Sequence, residues 1–192
     1  MNRVRKTKHF IAIDLKDFLN DKFVYDTQAE LYDGEKGIDN LYLPLDIFQK
    51  RVESKKLIKK VKYQFEIDDF DNIECEGQEI VVNATGKRLH ILGFSCYGNM
   101  QDCVRLVYEK QESEELFKQM EVCFNRKRIR KEYMMEDVDK DVVPAITIKS
   151  TTRKGMTVNF FIYTINLLEQ ELQRIILPKN SLMHIFAITL EQ

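Results

Sequence analysis

Three histidines, two dense carboxylate runs, four cysteines and one basic run are the side chains of this 192-residue chain best equipped for chemistry. His90 lies in KRLHILG on the face of Leu92 and Phe94, and His184 shares a face with Leu182 and Phe186. A histidine on an apolar strand face reads as a hydrogen-bonded structural residue. A metal site would need two or three such groups, His9 among the candidates, converging with carboxylates. Asp68, Asp69 and Asp71 flank Phe70, and Glu136, Asp137, Asp139 and Asp141 form the second acidic run. Hard cations favour oxygen-rich loops, but neither run has the Gly and terminal Glu of an EF-hand, so both read as solvated acidic loops. A glycosidase needs two carboxylates from distant segments, and no spacing marks such a pair. Ser95-Cys96 sits in a strand-like run without a nucleophile elbow, and no glycine-rich phosphate cradle occurs. Cys75, Cys96, Cys103 and Cys123 lack paired spacing and read as buried free thiols. The chain therefore reads as a non-enzyme with no cofactor.

Arg126, Lys127, Arg128, Arg130 and Lys131, followed by Tyr133, have the composition to contact phosphates and stack a base. Acidic segments at 112–121 and 136–141 flank that run and cancel its field beyond a Debye length of about 8 Å. With 30 Lys and Arg against 31 Asp and Glu, the net charge is −1, which also argues against a polyanion partner. No apolar stretch reaches the roughly 18 residues of a membrane span. The apolar run at 10–13 is too short for a signal-peptide core, so the expected location is cytoplasmic, with no membrane and no nucleic acid partner.

The elements that must position these residues are strands. Val61, Tyr63, Phe65 and Ile67 alternate with polar residues, the period of a half-buried strand. Further strand-like runs occupy 9–13, 41–48, 79–83, 88–95, 103–109, 145–150, 157–165, 171–177 and 182–190. In the last, Leu182, His184, Phe186, Ile188 and Leu190 share one face and Met183, Ile185, Ala187 and Thr189 the other. Both faces are apolar, which predicts a central strand. Turn residues separate the runs at Asp33-Gly34, Glu76-Gly77, Thr85-Gly86 and Gly98-Asn99. The segment 14–26 has the pattern to begin with a helical turn, and 112–141 fits helix and strand equally. About one domain's length, without a repeat or linker, predicts a single all-β domain over 1–192, an antiparallel sandwich or barrel. Of twelve Phe and eight Tyr in a chain without Trp, most of the Phe are expected to fill its core.

Five segments, in order, resemble the galactose-binding-domain-like jelly-roll modules that accompany bacterial glycoside hydrolases: DLKDFLNDKFVYD, LYLPLDIF, CEGQEIVVN, KRLHILGFSCYGNMQDCVRLVYE and QRIILPKNSLMHIFAITLEQ. The resemblance implies an antiparallel β-sandwich of jelly-roll type, usually non-catalytic, whose loops at one end hold a saccharide, with a structural calcium ion often present. Sugar recognition needs flat aromatic faces and planar polar groups. Tyr32 and Asp33 in the 26–40 loop, Tyr97 and Asn99 in a compact turn, and Arg153 in another loop supply both. Such modules commonly carry a Trp where this chain reads EKQESEELFKQMEVCF. Its absence motivates a second expectation: a structural or protein-interaction sandwich, with a homo-oligomer or a partner protein, that has lost the sugar site.

Overall fold

The computed structural model describes residues 8–25, 42–53, 57–122, 142–149 and 157–192. Strand β1 (Phe10–Ile13) leads through a 3-10 turn (Lys16–Phe18) to β2 (Val24–Tyr25), and β3 (Leu43–Pro44) runs into helix α1 (Leu45–Glu53). Then follow β4 (Ile73–Glu76), β5 (Glu79–Thr85), β6 (Arg88–Ser95), β7 (Met100–Tyr108) and β8 (Glu112–Gln119). The last are β9 (Val142–Lys149), β10 (Thr157–Asn166), β11 (Glu171–Ile176) and β12 (Lys179–Glu191). One antiparallel sheet has the order β1-β12-β6-β10-β9, with β4 also on β12, and the other has the order β5-β11-β7-β8. Strands β2 and β3 form a separate parallel pair. The molecule is a β-sandwich.

Two cores explain why β12 is apolar on both faces. Between the sheets, Leu89 and Ile91 of β6 and Met183, Ile185, Ile188 and Leu190 of β12 meet Val104, Leu106, Phe117, Leu172 and Ile175 of the smaller sheet. On the outer face of the larger sheet, Phe94, Phe160 and Phe186 gather around Phe23, with Leu43 and Phe48 completing the cover. Phe23 meets these three rings edge to face at centroid distances of 5.0–6.4 Å, the arrangement that aromatic quadrupoles favour. The phenylalanines thus mostly fill a second core beneath an outer layer.

Register shifts in β12 between Ile185 and Ala187 correct the face assignment. Ile188 and Leu190 pack with Met183 and Ile185, not with His184, because the extra residue of a bulge flips every later side chain. Residues 61–67 keep their alternation without a ladder. Tyr63, Phe65 and Ile67 lie against the outer core, and the backbone joins the sheet region through Thr189 Oγ1, which donates to the Lys62 carbonyl at 2.7 Å. Period-2 burial reports which side chains are covered, not which backbone is paired. The run at 41–48 turns helical after Pro44, with Asp46 in the first turn, Lys50 and Arg51 in the last, and Phe48 buried. Within 112–141, residues 112–119 form β8; the remainder from 123 lies outside the described residues.

Three of the edge strands are blunted. Edge strand β9 carries Pro144, β8 carries Glu112, Glu114, Glu115 and Lys118, and β5 is broken by a register shift at which Asn83 adopts φ 47°. Proline, charge and bulges each discourage another strand from adding there.

Candidate functional site

Tyr97 and Asn99 occupy the turn between β6 and β7. Gly98 takes φ 68° there, a left-handed conformation that glycine adopts without strain, and its Cβ direction faces open space. The Tyr97 ring is 70% exposed. Asn99 Oδ1 accepts the Glu121 N–H at 3.1 Å, and the Cys96 N–H donates to the Leu182 carbonyl at 2.9 Å, which ties the turn to β12. Backbone bonds continue across this end of the sandwich, Val122 N–H to the Ser95 carbonyl and Asn159 N–H to that of Val122. The start of β10 therefore lies at the same end as Tyr97. Arg153 precedes that start but, with Tyr32 and Asp33, lies outside the described residues.

Both strand histidines are buried and bonded. His90 Nε2 lies 3.0 Å from Glu191 Oε2 and Nδ1 lies 3.0 Å from Thr164 Oγ1. An ionised Glu191 requires the proton on Nε2, so Nδ1 accepts from the threonine. Burial holds the His90 pKa below its ordinary value, which keeps the ring neutral. Burial works to raise the Glu191 carboxyl, but Lys8 at 2.8 Å, His90 and Arg88 more than offset it and hold it low. His184 Nδ1 lies 3.0 Å from Asn72 Oδ1 and 3.3 Å from Asp21 Oδ2, two acceptors that place the proton on Nδ1. Burial works against the Asp21 carboxylate, yet His184, Asn72 and the Lys22 N–H outweigh it and lower its pKa.

Asp71 departs from the solvated acidic loop expected of its run. Only 2% exposed, it accepts the N–H groups of Phe23 at 3.0 Å and Val24 at 2.7 Å and the Asn72 side-chain amide at 3.1 Å. Burial pushes its carboxyl up to about 6; the three donors pull the other way in smaller measure, and the neighbouring Asp21 charge adds a little to the rise. This clamp seats Phe23 in the outer core. Glu66, Asp68 and Asp69 remain near the surface. With Lys16, Leu19, Ile67 and Phe70 they line a cleft of about 200 Å³ between the turn after β1 and the segment entering β4. The composition of the acidic run was the one signal for this cleft; Lys16 and Leu19 had none.

Among the described residues, no three His, Cys, Asp or Glu side chains gather to hold a metal ion, and the acidic run at 136–141 lies outside them. Cys75 is buried, but Cys96 is partly exposed and Cys103 exposed. Cys103 falls on the outward positions of β7, which alternate with inward Val104 and Leu106. Among the described residues, no helix is long and apolar enough to cross a membrane.

No functionally curated protein shows a significant match to the sequence. A family model described as the AziU2-like beta-sandwich domain matches residues 11–192, and its architecture agrees with the two sheets. Because that match spans all but the first residues of the chain, this protein belongs to the AziU2-like β-sandwich family.

Proposed function

We propose that this chain is a non-catalytic recognition module that binds saccharides reversibly at the Tyr97 end of the sandwich. The observation that carries the reading is the Tyr97 ring, 70% exposed on a turn pinned at both sides. A flat aromatic face held in place suits the C–H surface of a sugar, and holding it costs the complex little ordering entropy. Asn99 spends its carbonyl oxygen on Glu121, which leaves its amide N–H groups to donate to hydroxyls. Tyr32, Asp33 and Arg153 complete the proposed ligand set. The resemblance to galactose-binding modules points the same way. A non-enzymatic role is supported by His90 and His184, each committed to buried structural bonds. The free thiols Cys75, Cys96 and Cys103 suit a cytoplasmic setting. A glycan array probed with wild type and Tyr97→Ala tests this: wild type retains particular saccharides and the variant loses them. An array on which neither protein retains any saccharide defeats the reading.

A protein-contact role is the second reading. Val81 and Leu116 stand exposed on the smaller sheet, beside polar residues and Cys103. It predicts a stable assembly by light scattering and no response to sugars.

A further inference from the structure

An antiparallel ladder leaves every second residue of an edge strand with its N–H and C=O pointing outward. In β1 the register identifies those residues. The Gln192 N–H donates to the His9 carbonyl at 3.0 Å, directly across the ladder, while the Glu191 carbonyl turns the other way to accept the Lys87 N–H at 2.7 Å. His9, Ile11 and Ile13 therefore face β12, and Phe10 and Ala12 present their backbone groups outward. Among the described residues nothing bonds to those outward groups. The other edges of the two sheets differ. Pro144 in β9, the charges of β8 and the irregularity of β5 discourage an added strand. Asn20 covers β4, its side chain accepting the Glu74 N–H at 2.7 Å and donating to the Glu74 carbonyl at 3.2 Å. Strand β1 has no proline, no charge and no register shift, and its four apolar residues are each partly exposed.

We propose that β1 pairs antiparallel with β1 of a second copy of this chain across a two-fold axis, joining the two larger sheets edge to edge. A two-fold contact needs a self-complementary surface, and β1 is one. Bonding requires outward-facing residues to stand opposite each other. With Ile11 on the axis, Phe10 of each copy stands opposite Ala12 of the other, and the outward N–H and C=O groups of both close a new ladder. The same register sets Lys8, exposed, opposite the partner's exposed Asp14 at both ends. Sliding one copy by two residues sets Lys8 opposite Lys16 or Ala12 instead, so charge complementarity selects the first register. Ile11 and Ile13 pack toward the core between the sheets, and Phe10 lies 6.4 Å from the His90 ring on the other face. Pairing thus sets the two Ile11 side chains together and covers Phe10 with the partner's Ala12. A ladder this short makes the association reversible, at the small end of interface size. Strand β1 adjoins the Arg88 and Glu191 end of β6 and β12, whereas Tyr97 follows Ser95 at their other end. The contact therefore holds whether or not a saccharide binds at Tyr97.

Sedimentation equilibrium of the full chain, from about 5 µM to about 500 µM, tests the proposal. The expected result is a passage from the 22.8 kDa monomer to a dimer with a Kd on the order of 10–100 µM. Ala12→Pro removes an outward N–H and spares the bonds to β12, as edge strands allow, and weakens association about tenfold or more. Thermal unfolding of the dilute variant verifies its fold. Asp14→Asn keeps the acceptor for the Lys16 N–H but removes the charge, and weakens association about threefold. The register is read by oxidation of chains in which Cys96, Cys103 and Cys123 are replaced by Ser. Ile11→Cys then forms a disulfide-linked dimer, because residues on the axis stand within disulfide reach, and His9→Cys does not. That pair of cysteine variants decides the matter if Ala12→Pro fails to fold. A monomer at every concentration, a dimer undiminished in folded Ala12→Pro, which would belong to another surface, or no cross-link through Ile11→Cys overturns the proposal.

Discussion

Asp71 gives the molecule a proton-dependent stability that none of its surface carboxylates can supply. Its folded-state pKa, raised by burial from 3.8 to about 6, means that the folded chain takes up the proton before the unfolded chain does. Its contribution is therefore greatest in acid, falls as pH rises through about 6, and stays constant above. A shift of about two units corresponds to about 3 kcal/mol. Denaturant titrations of wild type and Asp71→Asn at about pH 4 and pH 7 read it, since titrating groups that do not interact with Asp71 cancel in the difference and the neighbouring Asp21 contributes the smaller part. The variant is expected to gain on wild type by about 2–3 kcal/mol between those conditions. A constant difference would contradict the account of Asp71. Nothing local in the sequence distinguishes Asp71 from Asp68 or Asp69. Its partners stand 47 and 48 positions earlier, and only the folded chain brings them within bonding distance.

Among elements, β6 was legible end to end, because Arg88–Ser95 is a short run centred on Leu89, Ile91, Leu92 and Phe94 and bounded by turn residues. The bulge in β12 was not, since no residue type announces it. Its consequences meet at Gly93. Gln119 of the smaller sheet reaches across to β12, its amide donating to the His184 carbonyl at 2.9 Å and accepting the His184 N–H at 3.1 Å. A Cβ on Gly93 would stand 2.1 Å from that carbonyl oxygen and 2.7 Å from Gln119 Nε2. Gly93→Ala must therefore separate β6 from β12 or expel Gln119, at a cost of about 3 kcal/mol or more. Thermal unfolding is expected to show a large fall in Tm. Gly98→Ala, with open space and only the left-handed φ against it, should cost about 1 kcal/mol. Equal Tm values for the two variants would refute the role assigned to the Gln119 bridge.

At the scale of the molecule, the sandwich was legible from the succession of strand-like runs, whereas the outer layer was not. The segment 57–67, α1 and the β2–β3 pair cover a sheet face that sequence reading treats as one more strand position. Burial there comes without laddering: among the described residues the N–H groups of 62–67 make no backbone hydrogen bond. Amide hydrogen exchange is expected to be slowest in β6, β10 and β12, and much faster at 62–67, despite the covered side chains. Equal protection would show that the outer layer opens only with the whole fold. The blunting of β5, β8 and β9 disfavours recognition by strand addition there and leaves the loops, the Tyr97 turn among them, as the better place for it. The most direct test is calorimetric titration of wild type and Tyr97→Ala with the saccharides retained on the array. Wild type is expected to bind at millimolar or tighter affinity and the variant about tenfold more weakly; heats that are absent, or identical for both proteins, would contradict saccharide recognition at Tyr97.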